Sequence, residues 1–387
     1  MTNCKDILCD CLKRVAKEQN YENCSIITKA ISSGGANYTS ALYLATIQAP
    51  GKDDLKLFAK VAAVGEKIRA IEPHKIYETE SLFYNYLLKK YKELEERNNI
   101  PAEYRFVTPK YYGGSDEYLK ETFIFEDLTA RGFTTHDRFK SIDWEYASKA
   151  IENLARFHAL SIAFSVEDPE EFEGINILKD HSDIQKVIYF LKNIIKNAIK
   201  VTKEENRDRF ANFLNAFLEN NDFHTFGRSH RRPVINHGDY RASNLMHRTK
   251  NGVLELISVD YQMLQIGNPI VDILFFILNG SDKKFRDQYF DKTFDYYYDE
   301  LCKALKRFGL DPEGLYSRED FDIEVKKVLP LGLVQATFCL LIVTVETDEA
   351  PQMNQDIAIE DFVVNPNTLY TERLNDIVDD YIKMGII

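Results

Sequence analysis

The chain has 387 residues, 44% hydrophobic and 28% charged, with 17 glycines, 11 prolines and a formal net charge of -12. That composition excludes a disordered or fibrous chain and leaves length enough for two packed lobes. The acidic balance argues against a nucleic-acid partner, whose phosphates need a basic face, although backbone amides, one lysine and a divalent cation can hold a nucleotide locally.

In chain order, MTNCKDILCDCLKRVAKEQN carries early acidic residues and no continuous apolar run, so it does not read as a secretory signal. Residues 5–20 read instead as a short amphipathic helix. Three strands are expected at Ser25 to Ile31, Ser40 to Gln48 and Leu55 to Val61, with SSGGANYT at the first turn. A helix from about Ile76 to Glu96 follows, then PKYYGG and the strand ETFIFEDL, ending at residue 128. From about Ile142 the chain turns mainly helical, with further stretches near 182–200, 204–220, 284–308, 318–346 and 366–384. Only VINHGDYRASNLMH and VLELISVDYQ interrupt them with strand-and-loop character. The richest apolar run, Val328 to Val345, is broken by Pro330 and polar residues and reads as a buried helix, and no stretch is expected to span a membrane. Cys4, Cys9, Cys11, Cys24, Cys302 and Cys339 lack zinc-site spacing and read as reduced thiols, as in a soluble cytoplasmic protein.

The strongest chemical signal is His237-Gly238-Asp239-Tyr240-Arg241-Ala242-Ser243-Asn244, with Asp260 ending a strand sixteen residues after Asn244. An Asp, four residues and an Asn is the separation used where an aspartate orients an acceptor hydroxyl and an asparagine holds a metal. Asp260 can then chelate the Mg²⁺ that neutralises nucleotide phosphates. Taken alone, DxxxxN is common, and HGD could be an ordinary surface turn. Ser33, Gly34, Gly35 and Asn37 lie in a loop between strands that could lay amides over phosphates, although GG between strands is often only a hairpin turn. Lys60 on the third strand and Glu80 on the next helix suit a phosphate-holding pair, with Glu78 a rival for the helix position. Phe123 to Leu128 should form a hinge whose backbone, at Glu126 and Leu128, reads adenine. Asp272 suits capping or bracing of the catalytic loop, and His158 reads as a satisfied core histidine.

GGANYTS, Lys60, ETESLFY, FIFEDLTARGF, ENLARFHALS, the HGD loop with Asn244-Leu245-Met246, VDYQ and GNPIVDILFF occur in an order that resembles the choline-kinase-like family, which includes the insect ecdysteroid kinases and is related to aminoglycoside phosphotransferases. The resemblance spans most of the chain. It implies an α+β, protein-kinase-like two-lobed fold, with a β-rich nucleotide-binding N-lobe at 1–128 and a mainly helical, acceptor-binding C-lobe at 129–387. It also implies ATP as donor, Mg²⁺ as cofactor and a small hydroxyl-bearing acceptor such as an ecdysteroid. By position, Asp239 becomes the catalytic base, Asn244 and Asp260 the metal ligands, and Lys60 with Glu80 the phosphate-holding pair. The family commonly carries tryptophan within HGDxWxxN, whereas this chain has Arg241, which changes the loop surface that faces the acceptor. Other acceptors, such as choline, an aminoglycoside-like compound or a toxin, would use the same catalytic residues, and an inactive kinase fold that only binds ligand is the rival of another class.

Overall fold

The computed structural model describes residues 4–32, 37–70, 75–179, 188–220, 223–229, 231–350 and 364–387. Alternation in LKLFAKVA organises the first part of the molecule. In β3 (Leu55–Ala62), Leu57, Ala59 and Val61 face one way, and Phe58, Lys60 and Ala62 the other. Around it stand β1 (Ser25–Ile31), β2 (Ser40–Gln48), β4 (Tyr111–Ser115) and β5 (Thr122–Glu126). They form an antiparallel sheet of order β1-β2-β3-β5-β4. One face is covered by α1 (Cys4–Glu18), whose Leu8, Cys11, Leu12 and Val15 recur at helical spacing and pack on Ala45, Ile47, Leu57 and Ala59.

The opposite face is covered by α2 (Ile76–Leu82), which widens through a π turn at Phe83–Leu87 and continues as α3 (Leu88–Arg97). The turn carries two successive aromatics into the interior. Phe83 stacks on Tyr261 with ring centroids 3.7 Å apart, and Tyr84 packs on Phe125 at 4.7 Å. Those contacts tie the helix both to the sheet and to the segment after Asp260.

The remainder is mainly helical. Its long elements are α4 (Trp144–Glu167), α5 (Ile188–Val201), α6 (Glu204–Asn220), α7 (Pro269–Gly280), α8 (Lys283–Arg307), α9 (Arg318–Thr344) and α10 (Thr368–Lys383). Asp143 caps α4 by accepting the Tyr146 N–H. One core gathers Ile151 and Leu154, Ile273 and Phe276, Tyr297 and Leu301, Val334 and Leu340, and Leu374 and Ile377 from five of these helices. Two small ladders interrupt them: β6 (Thr134–Thr135) with β8 (Leu245–Lys250) and β9 (Val253–Ser258), and β7 (Val234–Asn236) with β10 (Gln265–Gly267). Three strands, one main helix, two strands and then helices give an α+β, protein-kinase-like fold, as the sequence order implies.

The buried helix expected over Val328 to Val345 is present, within α9 (Arg318–Thr344), which passes straight through Pro330. One expectation changes. Among the described residues α9 is also long and apolar enough to cross a membrane, contrary to the expectation that no stretch would be. However, 61% of its apolar window is buried inside the protein, where it packs against the other helices. Cys9, Cys11, Cys24, Cys302 and Cys339 are free thiols.

Candidate active site

Lys60 lies at the crossing point of three elements. Its ammonium donates to both oxygens of Glu80, at 2.9 and 2.6 Å, and to Asp260 Oδ1 at 2.7 Å. Lys60 and Glu80 are both buried, whereas Glu78 faces solvent, so α2 offers Glu80 and not its rival. Helical spacing explains the choice: Tyr77, Glu80 and Tyr84 share the inward face. Burial opposes the lysine charge, but Asp260 and Glu80 outweigh it and hold its pKa above the ordinary value. Burial pushes the Glu80 carboxyl up to about 7 against the pull of Lys60. Burial also works against ionised Asp260, yet Lys60 and then Arg241 more than compensate, leaving it below the usual carboxylate range.

Asp260 adopts a left-handed backbone (φ 71°, ψ 64°), a conformation that costs a residue with a side chain about 1 kcal/mol or more. The hairpin β8–β9 enforces it. Leu245 pairs with Ser258, and the Val259 N–H donates to the Asn244 carbonyl at 2.9 Å, so Asn244 and Asp260 leave the hairpin side by side. The Asn244 amide in turn donates to Asp239 Oδ2 at 2.8 Å and to the Asp239 carbonyl at 3.0 Å. Asp239 also receives Arg241 Nε at 3.0 Å. Burial raises the Asp239 pKa, Arg241 opposes the rise and Asp260 adds to it.

Deep anchors hold the loop that carries these groups. The Tyr240 hydroxyl donates to the Ala150 carbonyl at 2.6 Å inside α4, and Tyr146 donates to the carbonyls of Ala242 and Leu245. Gly238 has φ +78°, and a Cβ there would lie 2.0 Å from the Met263 carbonyl oxygen, so no other residue fits. Asp272 accepts the backbone N–H groups of His237 and Gly238. It sits within the first turn of α7, but the helix cap is Asn268, which accepts the Ile270 N–H. With its proton on Nε2, His158 donates to Asp272 at 3.2 Å and accepts from the Tyr297 hydroxyl at 2.7 Å. His158 is thus a satisfied core histidine that also supports the loop's brace. His237 donates through Nε2 to the Val259 carbonyl, and burial holds its pKa below the ordinary histidine value.

A cavity of about 340 Å³ opens between the sheet and this loop. Ile31, Leu42, Leu44, Phe58, Phe125, Leu128, Met246 and Val259 supply apolar wall, while Lys60, Glu80, Asn244 and Asp260 supply polar groups. An apolar slot with a cluster of charges suits a flat ring joined to an anionic tail. Asn37, Glu126 and Leu128 also line it. Asn37 Oδ1 accepts the N–H groups of Thr39 and Ser40, shaping the entry to β2. Glu126 is held by the Lys110 N–H and by Arg131, so its side chain braces the end of β5 and the segment after it. Ser33, Gly34 and Gly35 lie outside the described residues. Asp239 does not line the cavity but stands behind Asn244, toward the helical part. Thr39 donates to Gln262 Oε1 at 2.9 Å, linking β2's entry to the segment after Asp260, a contact that sequence spacing gave no means to find.

No group of three or more His, Cys, Asp or Glu among the described residues could hold a metal by itself. The donors present are the Asp260 carboxylate and the Asn244 side-chain carbonyl, whose amide nitrogen is committed to Asp239. Hard oxygen donors from one carboxylate and one amide fit Mg²⁺ completed by phosphate oxygens and water, and do not fit a zinc site.

Among curated proteins none matches the sequence. Solved structures with similar outlines include an ethanolamine kinase of Plasmodium vivax, at 13% identity, covering 94% of this chain and 85% of that one with a TM-score of 0.46. A microcompartment-associated aminopropanol kinase has 12% identity over 97% of this chain and 98% of its own, with a TM-score of 0.42. An aminoglycoside phosphotransferase from Streptomyces rimosus, in complex with ADP and streptomycin, has 10% identity over 84% and 98% of the two chains, with a TM-score of 0.33. The family model of the ecdysteroid kinase-like family matches residues 34–310, well over half of the chain. On that match, which includes Lys60, Glu80, Asp239, Asn244 and Asp260, the chain belongs to the ecdysteroid kinase-like family.

Proposed function

We propose that this protein is an ATP- and Mg²⁺-dependent phosphotransferase that transfers the γ-phosphoryl group to a hydroxyl of a small apolar alcohol, an ecdysteroid in the preferred reading. The observation that carries the proposal is the joining of Lys60, Glu80 and Asp260 into one buried ion cluster at the cavity, with Asn244 linking it to Asp239. In this reading, residues 1–128 bind the nucleotide and 129–387 carry the catalytic loop and the acceptor.

Adenine occupies the apolar slot against the hinge at Glu126 to Leu128. Lys60, steadied by Glu80, pairs with the phosphates. Asp260 and Asn244 hold Mg²⁺, which when bound neutralises phosphate charge. Asp239 accepts the proton of the acceptor hydroxyl, and its raised pKa makes it a better base than an ordinary aspartate.

Two features favour an uncharged apolar acceptor. On α9, Phe338, Cys339 and Ile342 form a half-buried stripe at helical spacing, and Cys339 lies within electrostatic range of Asp239 and Arg241. The Arg241 guanidinium beside the base disfavours a cationic alcohol such as choline. The test is to incubate the protein with ATP, Mg²⁺ and separate ecdysteroid, choline and aminoglycoside acceptors, and to weigh the products by mass spectrometry. A steroid monophosphate is the expected product. Choline phosphate alone would overturn the acceptor and keep the kinase, and a protein that binds ADP without turning over any acceptor would return it to a ligand-binding role.

A further inference from the structure

Thr39 sits where the strand pair that carries Lys60 meets the turn that follows Asp260. Leu42 of β2 pairs with Lys60 of β3, and the ladder runs on past Ser40 and Ala62 to the Ala63 N–H, which donates to the Thr39 carbonyl at 3.0 Å. The Tyr77 hydroxyl of α2 donates to the same carbonyl, and the Thr39 N–H donates to Asn37 Oδ1 at 3.1 Å. Those bonds fix the Thr39 backbone while its hydroxyl reaches across to donate to Gln262 Oε1 at 2.9 Å. Gln262 is buried and lies two residues after Asp260, in the turn Tyr261–Met263. The sheet thus meets this segment through an ion pair, Lys60 with Asp260 at 2.7 Å, and through a neutral hydrogen bond. A loaded nucleotide acts on the two differently. Phosphates compete for the Lys60 ammonium and Mg²⁺ for the Asp260 carboxylate, so the ion pair gives way as the site fills. Thr39 and Gln262 do not line the cavity, so the nucleotide leaves their bond in place.

We propose that Thr39 and Gln262 are positioning residues, whose hydrogen bond keeps Asp260 at its spacing from the sheet once the Lys60–Asp260 ion pair has opened for Mg²⁺ and nucleotide. The proposal rests on the kinase reading above. Before loading, the ion pair holds the segment and the neutral bond adds little. After loading, Asp260 still has a left-handed backbone (φ 71°), which relaxes toward ordinary conformations unless the residues after it are held. Stacking of Tyr261 on Phe83 holds the turn against the helical segment, and the Thr39 hydroxyl holds it against the sheet. Neither Thr39 nor Gln262 exchanges a proton or meets the nucleotide. They act through the carboxylate, so their effect falls on what Mg²⁺ adds to nucleotide binding and not on the binding of metal-free nucleotide.

The test compares wild type with Thr39→Val, Thr39→Ser, Gln262→Met and the double variant Thr39→Val/Gln262→Met. Calorimetry gives the affinity of each for ADP, once with excess Mg²⁺ and once with a chelator in its place. The ratio of the two affinities is the quantity read, and a general weakening of the fold cancels from it. Thr39→Val keeps the branched shape and removes the donor. It is expected to hold metal-free ADP within about twofold of wild type and to lose roughly 10-fold of the gain that Mg²⁺ confers. Thr39→Ser keeps the hydroxyl and should retain most of the gain. Gln262→Met should match Thr39→Val, and the double variant should lose no more than either single one, because the same bond is removed only once. The proposal is overturned if Thr39→Val keeps the full Mg²⁺ gain, if Thr39→Ser loses as much as Thr39→Val, if metal-free affinity falls by the same factor, or if the losses multiply in the double variant. Should Gln262→Met not fold, the threonine variants decide: a loss in Thr39→Val that Thr39→Ser restores supports the proposal, and any other pattern overturns it. Failure of wild type to bind ADP at all would instead overturn the kinase reading, and this proposal with it.

Discussion

Asp272 holds His237 by its backbone, across 35 residues of chain, accepting the His237 N–H at 2.7 Å. Its second oxygen accepts the Gly238 N–H at 2.9 Å, so one buried carboxylate satisfies two successive donors next to Asp239. Replacing it with alanine strands both donors, together with the His158 ring N–H. Asp272→Ala should therefore lose about 3–5 kcal/mol of stability in urea unfolding. Asp272→Asn keeps one acceptor and should lose clearly less. Equal losses in the two variants would show that space filling, and not the paired hydrogen bonds, is what Asp272 provides.

Gly238 makes a second, independent demand on the same loop. Gly238→Ala has to relieve both a positive φ and the approach to the Met263 carbonyl, so the loop and the turn at Tyr261–Met263 must separate. We expect a stability loss of about 2–4 kcal/mol and nearly complete loss of turnover. Mg·ADP affinity should change little, because the cavity is lined by other residues. Circular dichroism melting and calorimetry together check this, and an alanine variant as stable as wild type would mean that the close approach is not maintained in solution.

The parts legible in the sequence are those that carry a period or a fixed local spacing. Alternation put Lys60 on the inner face of β3, and DxxxxN joined Asp239 to Asn244 within one loop. Asp260 was legible because a run of strand residues ends at it. Choosing Glu80 over Glu78 needed the helical phase of Tyr77 and Tyr84, which the sequence also carries. Three-residue strands such as Val234–Asn236 and Gln265–Gly267 are too short to show alternation, so the ladder that seats the loop was not legible. Nor was the contact of Thr39 with Gln262, which joins residues 223 apart through a single hydrogen bond. Arg241 stood out only as a departure from the family pattern, and its pairing with Asp239 is a property of the folded loop.

Lys60 separates two carboxylates that would otherwise face each other in a buried site, and that makes its removal pH-dependent. Burial already pushes Glu80 up to about 7 with Lys60 present, and without the lysine it rises further. Between its ordinary value of 4.5 and the raised one, the folded protein keeps a proton that the unfolded chain releases. The folded state then binds more protons, so stability falls as pH rises through that window. Lys60→Met should consequently melt further below wild type at about pH 8 than at about pH 5.5. A melting offset that is the same at both values would remove Glu80 from the pairing, whatever happens to activity.

Asp239→Asn and Asp260→Asn remove one charge each from neighbouring places, and the site assigns them opposite signatures. Asn at 260 tolerates the left-handed backbone, so Asp260→Asn should fold, with Lys60 still paired to Glu80. It loses the carboxylate that suits Mg²⁺, and the strengthening of ADP binding by Mg²⁺ should largely disappear, with turnover reduced roughly 100–1,000-fold. Asp239→Asn leaves Asp260 and Asn244 in place and should keep Mg²⁺-dependent ADP affinity within about twofold while losing phosphoryl transfer by a comparable factor. Its loss should not be recovered by raising Mg²⁺, whereas part of the Asp260→Asn loss should be. Calorimetry across a Mg²⁺ series, paired with initial rates, reads both. An Asp260→Asn protein whose ADP affinity responds to Mg²⁺ as wild type does would take the metal away from Asp260, and an Asp239→Asn protein that transfers phosphate at the wild-type rate would take the base away from Asp239.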